Sequence, residues 1–418
     1  MKQYDAIIVG GGSAGLSAAI TLKEKGIENI VVLEKDGEVG GILLQCIHNG
    51  FGLQTFKEML TGPSYAERFK QKALDHHVEI KLNTMVTSVT EDKQVTYVNE
   101  EEGYVTIQGK TIILCVGCYE RPQGAIQIEG PRITGVYTAG QAQKYLNMDG
   151  YLVGKKVFIL GSGDIGLIMA RRMRLEGAEV LGVAELMPYS NGLARNIKQC
   201  LEDFDIPLYL SHTVTKIFGK DRLEKIEISQ VDENKRPIAG TEKYFDVDTL
   251  LLSIGLLPEN KLAEGAHLKI HPVTKGVIVD DLYQTSCKGI FACGNGLHVH
   301  DLVDYVTLQA SRAALGAYTY LTKDVSDTVC DIEVSGNVAY SIPASFHRDT
   351  ENHVEFFFRV RTPMNHATLH VYDDMKEIRK VTKEKWIPSE MERVLLTKDQ
   401  LRAVEGTLHF DLKEDSVC

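Results

Sequence analysis

Two copies of one signature leave this chain few ways to fold. In the first, Tyr4-Asp5-Ala6-Ile7-Ile8-Val9 is a short apolar run of β-formers that ends on Gly10-Gly11-Gly12-Ser13-Ala14-Gly15, which contains G-x-G-x-x-G. A helical pattern follows through Lys25 and closes at Gly26, and a second strand, Ile30-Val31-Val32-Leu33, ends on Glu34. Strand, glycine turn, helix, strand and acid is the order of a dinucleotide-binding βαβ unit. Gly10 permits the tight turn. Gly12 has no Cβ, so backbone can approach a pyrophosphate, and Gly15 lets helix and strand pack closely. Backbone N–H groups and the helix dipole then face the phosphates. Glu34, 24 positions after Gly10, is placed to accept hydrogen bonds from an adenosine ribose.

The unit recurs downstream. Lys156-Val157-Phe158-Ile159-Leu160 leads into Gly161-Ser162-Gly163-Asp164-Ile165-Gly166, a helix through Leu175 ends at Gly177, and the strand from Glu179 to Ala184 ends on Glu185. Glu185 again lies 24 positions after its first glycine. Two fingerprints of matching spacing predict two dinucleotide sites. The 418 residues are more than one core usually holds, which predicts two or three domains. A net charge of −11 with no long basic run argues against nucleic acid or an anionic membrane as partner. Neither a signal peptide nor a membrane-spanning apolar run is read, and eight cysteines without small-scaffold spacing fit reduced thiols, so a cytoplasmic protein is expected.

Between the signatures, residues 42–52 are too polar and glycine-rich for a core element. A helix over Ser64 to Asp75, a strand at Val78 to Lys81, and short antiparallel strands around Val86, Val89, Val95–Val98 and Val105–Ile107 are expected. Thr111–Leu114 reads as a buried strand ending on Cys115-Val116-Gly117-Cys118. After the second unit come a meander (Leu223–Glu227, Lys243–Asp246), the strand Thr249–Leu252, and Gly289-Ile290-Phe291-Ala292-Cys293-Gly294-Asn295. A long helix over about Val306 to Leu321 follows. From Val329 alternating segments such as His353–Val360 suggest a small β-sandwich of 90 residues.

These pieces resemble the flavoprotein disulfide-reductase-like oxidoreductases (the pyridine nucleotide-disulfide oxidoreductase fold). Cys115-Val116-Gly117 stands at the place of that family's Ala-Thr-Gly strand end, and Gly289–Asn295 is like its late Gly-x-Phe-Ala-x-Gly-Asp motif, with Asn295 where Asp is usual. Cys118–Pro122 with Gly135–Gly140 is similar to the branch of sarcosine oxidase α, hydrogen cyanide synthase and opine dehydrogenase subunits. The β tail, with Gln45–His48 and Leu297–Asp301, is similar to bacterial flavoproteins found alongside a glycerol-3-phosphate-dehydrogenase-like flavoprotein and a small cysteine-rich protein.

The resemblance implies an α/β chain with two nested Rossmann-like domains, glutathione-reductase-like, plus a C-terminal all-β sandwich-like domain. FAD binding falls to 1–150 with 283–328, NAD(P) binding to 151–282, and the β domain to 329–418. It implies FAD at Gly10, Gly12, Ser13, Ala14, Gly15, Glu34, Lys35, Gly41, Ile42, Val86, Cys115, Val116, Gly117, Gly294, Asn295, Thr307 and Leu308. Asn295 would lie near the ribityl chain, and the backbone of Thr307-Leu308-Gln309 would meet the flavin's N1–C2=O edge. NAD(H) would take Gly161, Gly163, Asp164, Ile165, Gly166, Glu185 and Gly255. Glu185 favours a free 2′-hydroxyl and no Arg adjoins it, so NADH is expected over NADPH.

The onward path of the electrons is less constrained. Cys115 and Cys118 form C-x-x-C but occupy a strand end that needs small residues, so small apolar filler outweighs a dithiol or a metal-ligand pair. No metal site is expected. Cys46 and His48 lie in the loop that should approach the isoalloxazine; for Cys46, filler again outweighs a reactive thiol. His298, His300, Asp301 and Asp304 are read either as proton-handling or substrate-binding groups or as a solvated loop with helix-capping Asp. The β tail, with Cys330 and Cys418, carries no evident catalytic set and suits capping, dimerisation or partner docking. The leading expectation is an NAD(H)–flavin oxidoreductase subunit of a multi-component, glycerol-3-phosphate-type dehydrogenase. Its partners would be a second flavoprotein and a small cysteine-rich redox protein. The alternatives are a self-contained NADH oxidase or dithiol reductase using Cys46 or Cys115/Cys118, and a non-catalytic nucleotide-binding subunit.

Overall fold

Strand Gln3–Val9 is apolar on both faces, with Tyr4 and Ala6 to Val9 all buried, because it lies inside a seven-stranded sheet. The computed structural model describes residues 1–324, 328–374 and 376–414, so Cys418 and the end of the expected β domain lie outside the described residues. Contacts divide the chain into two units, Met1–Cys118 together with the residues from Pro258 onward, and Tyr119–Leu257.

In the first unit the sheet runs Glu79–Lys81, Ile30–Leu33, Gln3–Val9, Gly103–Leu114, Gln94–Asn99, Met85–Val89, with Ile290–Ala292 added beside Gly103–Leu114. The strand expected in two pieces, at 105–107 and 111–114, is one. Its first half pairs antiparallel with Gln94–Asn99, and its second half lies parallel between Gln3–Val9 and Ile290–Ala292. Gly109, in the gap between the two expected pieces, lies inside this strand, where a side chain would strike Ile7 and Thr111 O. Helix Ser13–Glu24 packs on helix Val303–Thr322 through small residues, and Ser17 Oγ donates to Thr307 O across the seam (2.9 Å).

The same unit holds the C-terminal strands. Ser345–His347, Val329–Gly336, Leu408–Glu414, Met364–Tyr372 and Glu377–Trp386 form a mixed five-stranded sheet, and Val354–Phe358 pairs with Glu392–Leu396. All five residues of Val354–Phe358 are buried. Val354, Phe356 and Phe358 face the β core with Trp386 and Phe410, whereas Phe357 turns the other way onto His298, His300 and Tyr305. Period-two alternation thus splits one strand between two interiors, which is why the strand expected to alternate between core and solvent is buried on both faces.

The second unit has a five-stranded parallel sheet, ordered Val136–Thr138, Thr249–Leu252, Lys156–Leu160, Glu179–Glu185, Leu208–Leu210. Beside it His212–Gly219, Leu223–Gln230 and Lys243–Phe245 form the antiparallel meander. No helix among the described residues is long and apolar enough to cross a membrane.

Trp386 is the only tryptophan, and it is buried in the C-terminal core with its indole N–H on Ala367 O. Its emission therefore reports that core selectively. Phe410→Ala should cost about 3–5 kcal/mol there, read as a lower urea midpoint by tryptophan fluorescence; an unchanged midpoint would contradict the packing described.

Candidate functional site

Each fingerprint combines two glycines the fold cannot replace with one it does not use. A Cβ on Gly10 (φ +102°) would lie 2.4 Å from Cys115 O, and one on Gly15 would lie 1.8 Å from Gly10 O. Gly12, between them, meets nothing within 4 Å. In the second copy, a Cβ on Gly161 would lie 2.0 Å from Ser253 O and one on Gly166 would lie 2.6 Å from Gly161 O, while Gly163 has only Ser253 Oγ at 3.5 Å. The outer glycines are forced by chain-on-chain contact. The middle ones face open space at the N-termini of helices Ser13–Glu24 and Asp164–Leu175, neither of which has a side-chain cap. N–H groups beside a side-chain-free surface are the cradle a pyrophosphate needs, so the residues fit a dinucleotide at both places, with Gly166 N–H of the second copy already donating to Ser253 Oγ (3.1 Å).

The acids repeat the same frame. Glu34 is buried and accepts from Gly11 N–H (2.6 Å) and Asp36 N–H (2.9 Å). Glu185 is buried and accepts from Ser162 N–H (2.9 Å) and Met187 N–H (2.9 Å). Each acid thus shapes its own glycine turn through two backbone N–H groups.

Most residues expected around FAD converge. Gly294 (φ +68°) sits so near Ala14 and Val306 that its Cβ would lie 3.3 and 3.2 Å from them. Gly40 N–H donates to Gly11 O, and Gly41 backs onto Gly12. Val116 and Gly117 adjoin Gly296, and Asn295 Oδ1 accepts from His300 N–H (3.0 Å). Lys35 and Ile42 are exposed, and Val86 lies two residues beyond Thr84, whose N–H donates to Glu34 O. One expectation needs correcting. The long helix expected from Val306 starts at Val303, which puts Thr307 and Leu308 in its second turn. Its unbonded N–H groups therefore belong to the turn before them.

The solvated-loop reading of the histidines needs correcting. His298 and His300 are buried, not in a solvated loop. Gly294 N–H donates to Gln309 Oε1 (2.7 Å), and His300 Nε2 approaches the same oxygen at 3.2 Å, so His300 carries its proton on Nε2. Gln309 Nε2 donates to His298 Nε2 (3.2 Å), so His298 carries its proton on Nδ1 and donates to Tyr340 Oη (3.2 Å). The Tyr340 hydroxyl in turn reaches Met391 Sδ (3.8 Å). Burial, with neighbouring Arg359 as a further cause, pushes His298 well below its usual pKa and His300 down to about 4. Both rings are neutral at pH 7. The sequence named Gln309 only for its backbone and Phe357 only as part of a strand; their side-chain roles here, and Tyr340, 31 positions after Gln309, have no motif.

The acids are corrected too. Asp301 pairs with Arg359 and accepts from Met391 N–H. Asp304 does not cap its own helix but accepts from Gly52 and Thr55 N–H (3.1 and 2.7 Å), pinning the glycine-rich loop. Among the thiols, Cys115 Sγ lies 3.4 Å from Cys293 Sγ, while Cys118 Sγ accepts from Asn295 Nδ2, so the C-x-x-C sulfurs are engaged by different residues. Cys46 Sγ donates to Ile42 O, and burial pushes this thiol up to about 12. A thiol so placed is protonated at neutral pH and is a poor nucleophile. His48 Nδ1 lies beside Asn49 O (3.1 Å), with its ring against Phe51. No three His, Cys, Asp or Glu among the described residues are grouped to hold a metal.

Residues 4–312 match the family described as pyridine nucleotide-disulphide oxidoreductase. The chain is 27% identical over 330 residues to an NADH oxidase of Methanocaldococcus jannaschii, covering 74% of this chain and 66% of that one. It is 22% identical to the hydrogen cyanide synthase subunit HcnB of Pseudomonas protegens, covering 74% and 67%. It thus spans about two thirds of the length of these relatives. T. acidophilum thioredoxin reductase shares the fold, with a TM-score of 0.63 at 22% identity, covering 76% of this chain and 99% of that one.

Gly12→Val should leave thermal stability within about 1 kcal/mol, since its Cβ meets no protein atom, yet abolish visible flavin absorbance in the purified protein. Gly15→Ala should fail to fold, as judged by circular dichroism. A yellow Gly12→Val protein would contradict the cradle. The histidines predict a pH effect. A folded-state pKa below the unfolded value gives stability that is complete above about 6.5 and is lost as pH falls toward 4. For His300 the full loss is about 3 kcal/mol. The difference in stability between wild type and His300→Gln should therefore shrink between pH 7 and pH 5 in urea titrations; a constant difference would refute it.

Proposed function

The chain belongs to the pyridine nucleotide-disulphide oxidoreductase family, an FAD- and NAD(P)-dependent class of oxidoreductases, and we propose that it passes reducing equivalents between NAD(H) and a second redox partner. The observation that carries this is the pair of cradles, each with a middle glycine open to something other than protein. FAD, when bound, supplies a carrier that takes up a hydride from a dihydronicotinamide and hands electrons onward.

The chain's own residues do the rest. The Gly10–Gly15 turn and the uncapped helix behind it would hold the FAD pyrophosphate, and Glu34 its ribose. Asn295 would hold the ribityl chain, contributing an amide where the family usually has a carboxylate. Gln309 fixes the Gly294 N–H and Asn295 segment, and Asp304 holds the loop of residues 52–55 against the same helix. Gly161, Gly163 and the turn to Gly166, with Glu185, would hold NAD(H). A carboxylate at that strand end repels a 2′-phosphate, which favours NADH over NADPH.

We read the physiological role as one subunit of a multi-component, glycerol-3-phosphate-type dehydrogenase that meets a second flavoprotein and a small cysteine-rich redox protein. Two things support a role as a subunit. The Pseudomonas protegens relative is named as a subunit, and the thiols expected to carry electrons do not act as a pair: Cys46 is held as a thiol, and Cys115 and Cys118 are engaged by different residues. The β region would dock a partner or a second copy of the chain.

Anaerobic NADH should bleach the purified yellow protein, and NADPH should do so at least tenfold less efficiently. Gly163→Val should remain yellow yet resist bleaching. A yellow wild-type protein whose spectrum ignores both nucleotides would overturn the proposal, and loss of dithionitrobenzoate reduction on Cys46→Ser would restore the dithiol alternative.

A further inference from the structure

The two acids differ in how much acceptor capacity they have left. A carboxylate offers about four lone-pair positions. Glu34 uses two, for Gly11 and Asp36 N–H. Glu185 uses the two equivalent positions for Ser162 and Met187 N–H and both remaining ones for side chains: Ser162 Oγ donates to Oε2 (2.6 Å) and Asn191 Nδ2 donates to Oε1 (3.1 Å). Among the described residues no side chain donates to Glu34 in this way; Gly11 stands where Ser162 does and so supplies no hydroxyl.

The segment carrying Asn191 is fastened over the second glycine turn at several points. Asn191 N–H donates to Ser162 Oγ (3.1 Å), Ser190 Oγ to Ser162 O (3.3 Å), and Leu193 N–H and Asn196 Nδ2 to Asp164 Oδ1 (2.9 and 2.6 Å). A Cβ on Gly192 would lie 2.8 Å from Ser162 O. A ribose hydroxyl that is to donate to Glu185 must therefore displace a donor already there.

We propose that Asn191 is an intramolecular competitor of the adenosine ribose and so a specificity-determining residue of the NAD(H) site; this rests on the assignment of the second cradle to NAD(H). Asn191 holds the Glu185 lone pair that a 2′-hydroxyl needs, and it leaves when that hydroxyl arrives. The nucleotide thus binds against the cost of breaking one charge-assisted hydrogen bond, whereas FAD at Glu34 meets no such competitor. An ionised 2′-phosphate has no proton to donate to Glu185, so removing the competitor helps it little.

The test is calorimetric titration of the FAD-loaded protein with the non-reducing analogue 1,4,5,6-tetrahydro-NADH and its 2′-phosphorylated counterpart. Asn191→Ala should tighten the first by about three- to tenfold, the effect of one such bond, and change the second by less than twofold. Ser162→Ala, which frees the other oxygen, should move the first analogue in the same direction. Affinity for the first analogue that is unchanged or weaker in Asn191→Ala overturns the inference while leaving the NAD(H) assignment standing. Failure of wild type and both variants to bind either analogue overturns the assignment, and the inference with it.

Discussion

Helix Ser13–Glu24 leaves its strand through a turn with no room for a side chain on the inside and no use for one on the outside. The Gly10 carbonyl occupies the space a Gly15 Cβ would take, and the Cys115 carbonyl occupies that of Gly10. This contact fixes the distance between helix and sheet and aims the uncapped helix end outward. Everything else in the first unit is arranged around that end. Gly40 and Gly41 back onto the turn, Gly294 fits beside Ala14, and Ser17 ties the last long helix to the first. Residues separated by nearly 300 positions meet because none of them has a side chain large enough to hold the others away.

Behind that turn lies a polar layer inside an apolar one. Gln309 uses its carbonyl for Gly294 N–H and His300 and its amide for His298, and Tyr340 closes the chain from the C-terminal segment. Fixed donors and acceptors of this kind allow one arrangement of the rings and no other, provided both stay neutral, which burial ensures. A protonated imidazole there would be an uncompensated buried charge, held close to Arg359.

The glycine signatures, their strands and both acids were legible because each follows from short-range geometry: a spacing, a turn, a strand end. The family followed from their combination. The histidine segment was less legible. Two His and two Asp within seven positions read as exposed chemistry, because sequence does not reveal that Phe357 and Tyr340, 40 to 60 residues later, cover them. The surroundings of the C-x-x-C cysteines, read as small apolar filler, were equally hidden. The sulfur nearest Cys115 belongs to Cys293 on a neighbouring strand, a pairing that only the parallel register creates. The fate of Glu185 was also hidden, since its last two donors depend on how the segment after its strand folds back.

Strand Val354–Phe358 belongs to two interiors at once. Its even-numbered residues fill the β core, while Glu355 takes Arg312 from the long helix and Arg393 from its neighbour strand, and Phe357 covers the histidines. Such a strand cannot drift independently over evolutionary time. A lineage that exchanged its C-terminal region for another would inherit an arginine without its counter-ion and two imidazoles open to water, and would have to revise positions 298, 300, 305 and 312 together. Correlated change at those four sites, in step with the identity of the tail, is the historical trace this interlock should leave.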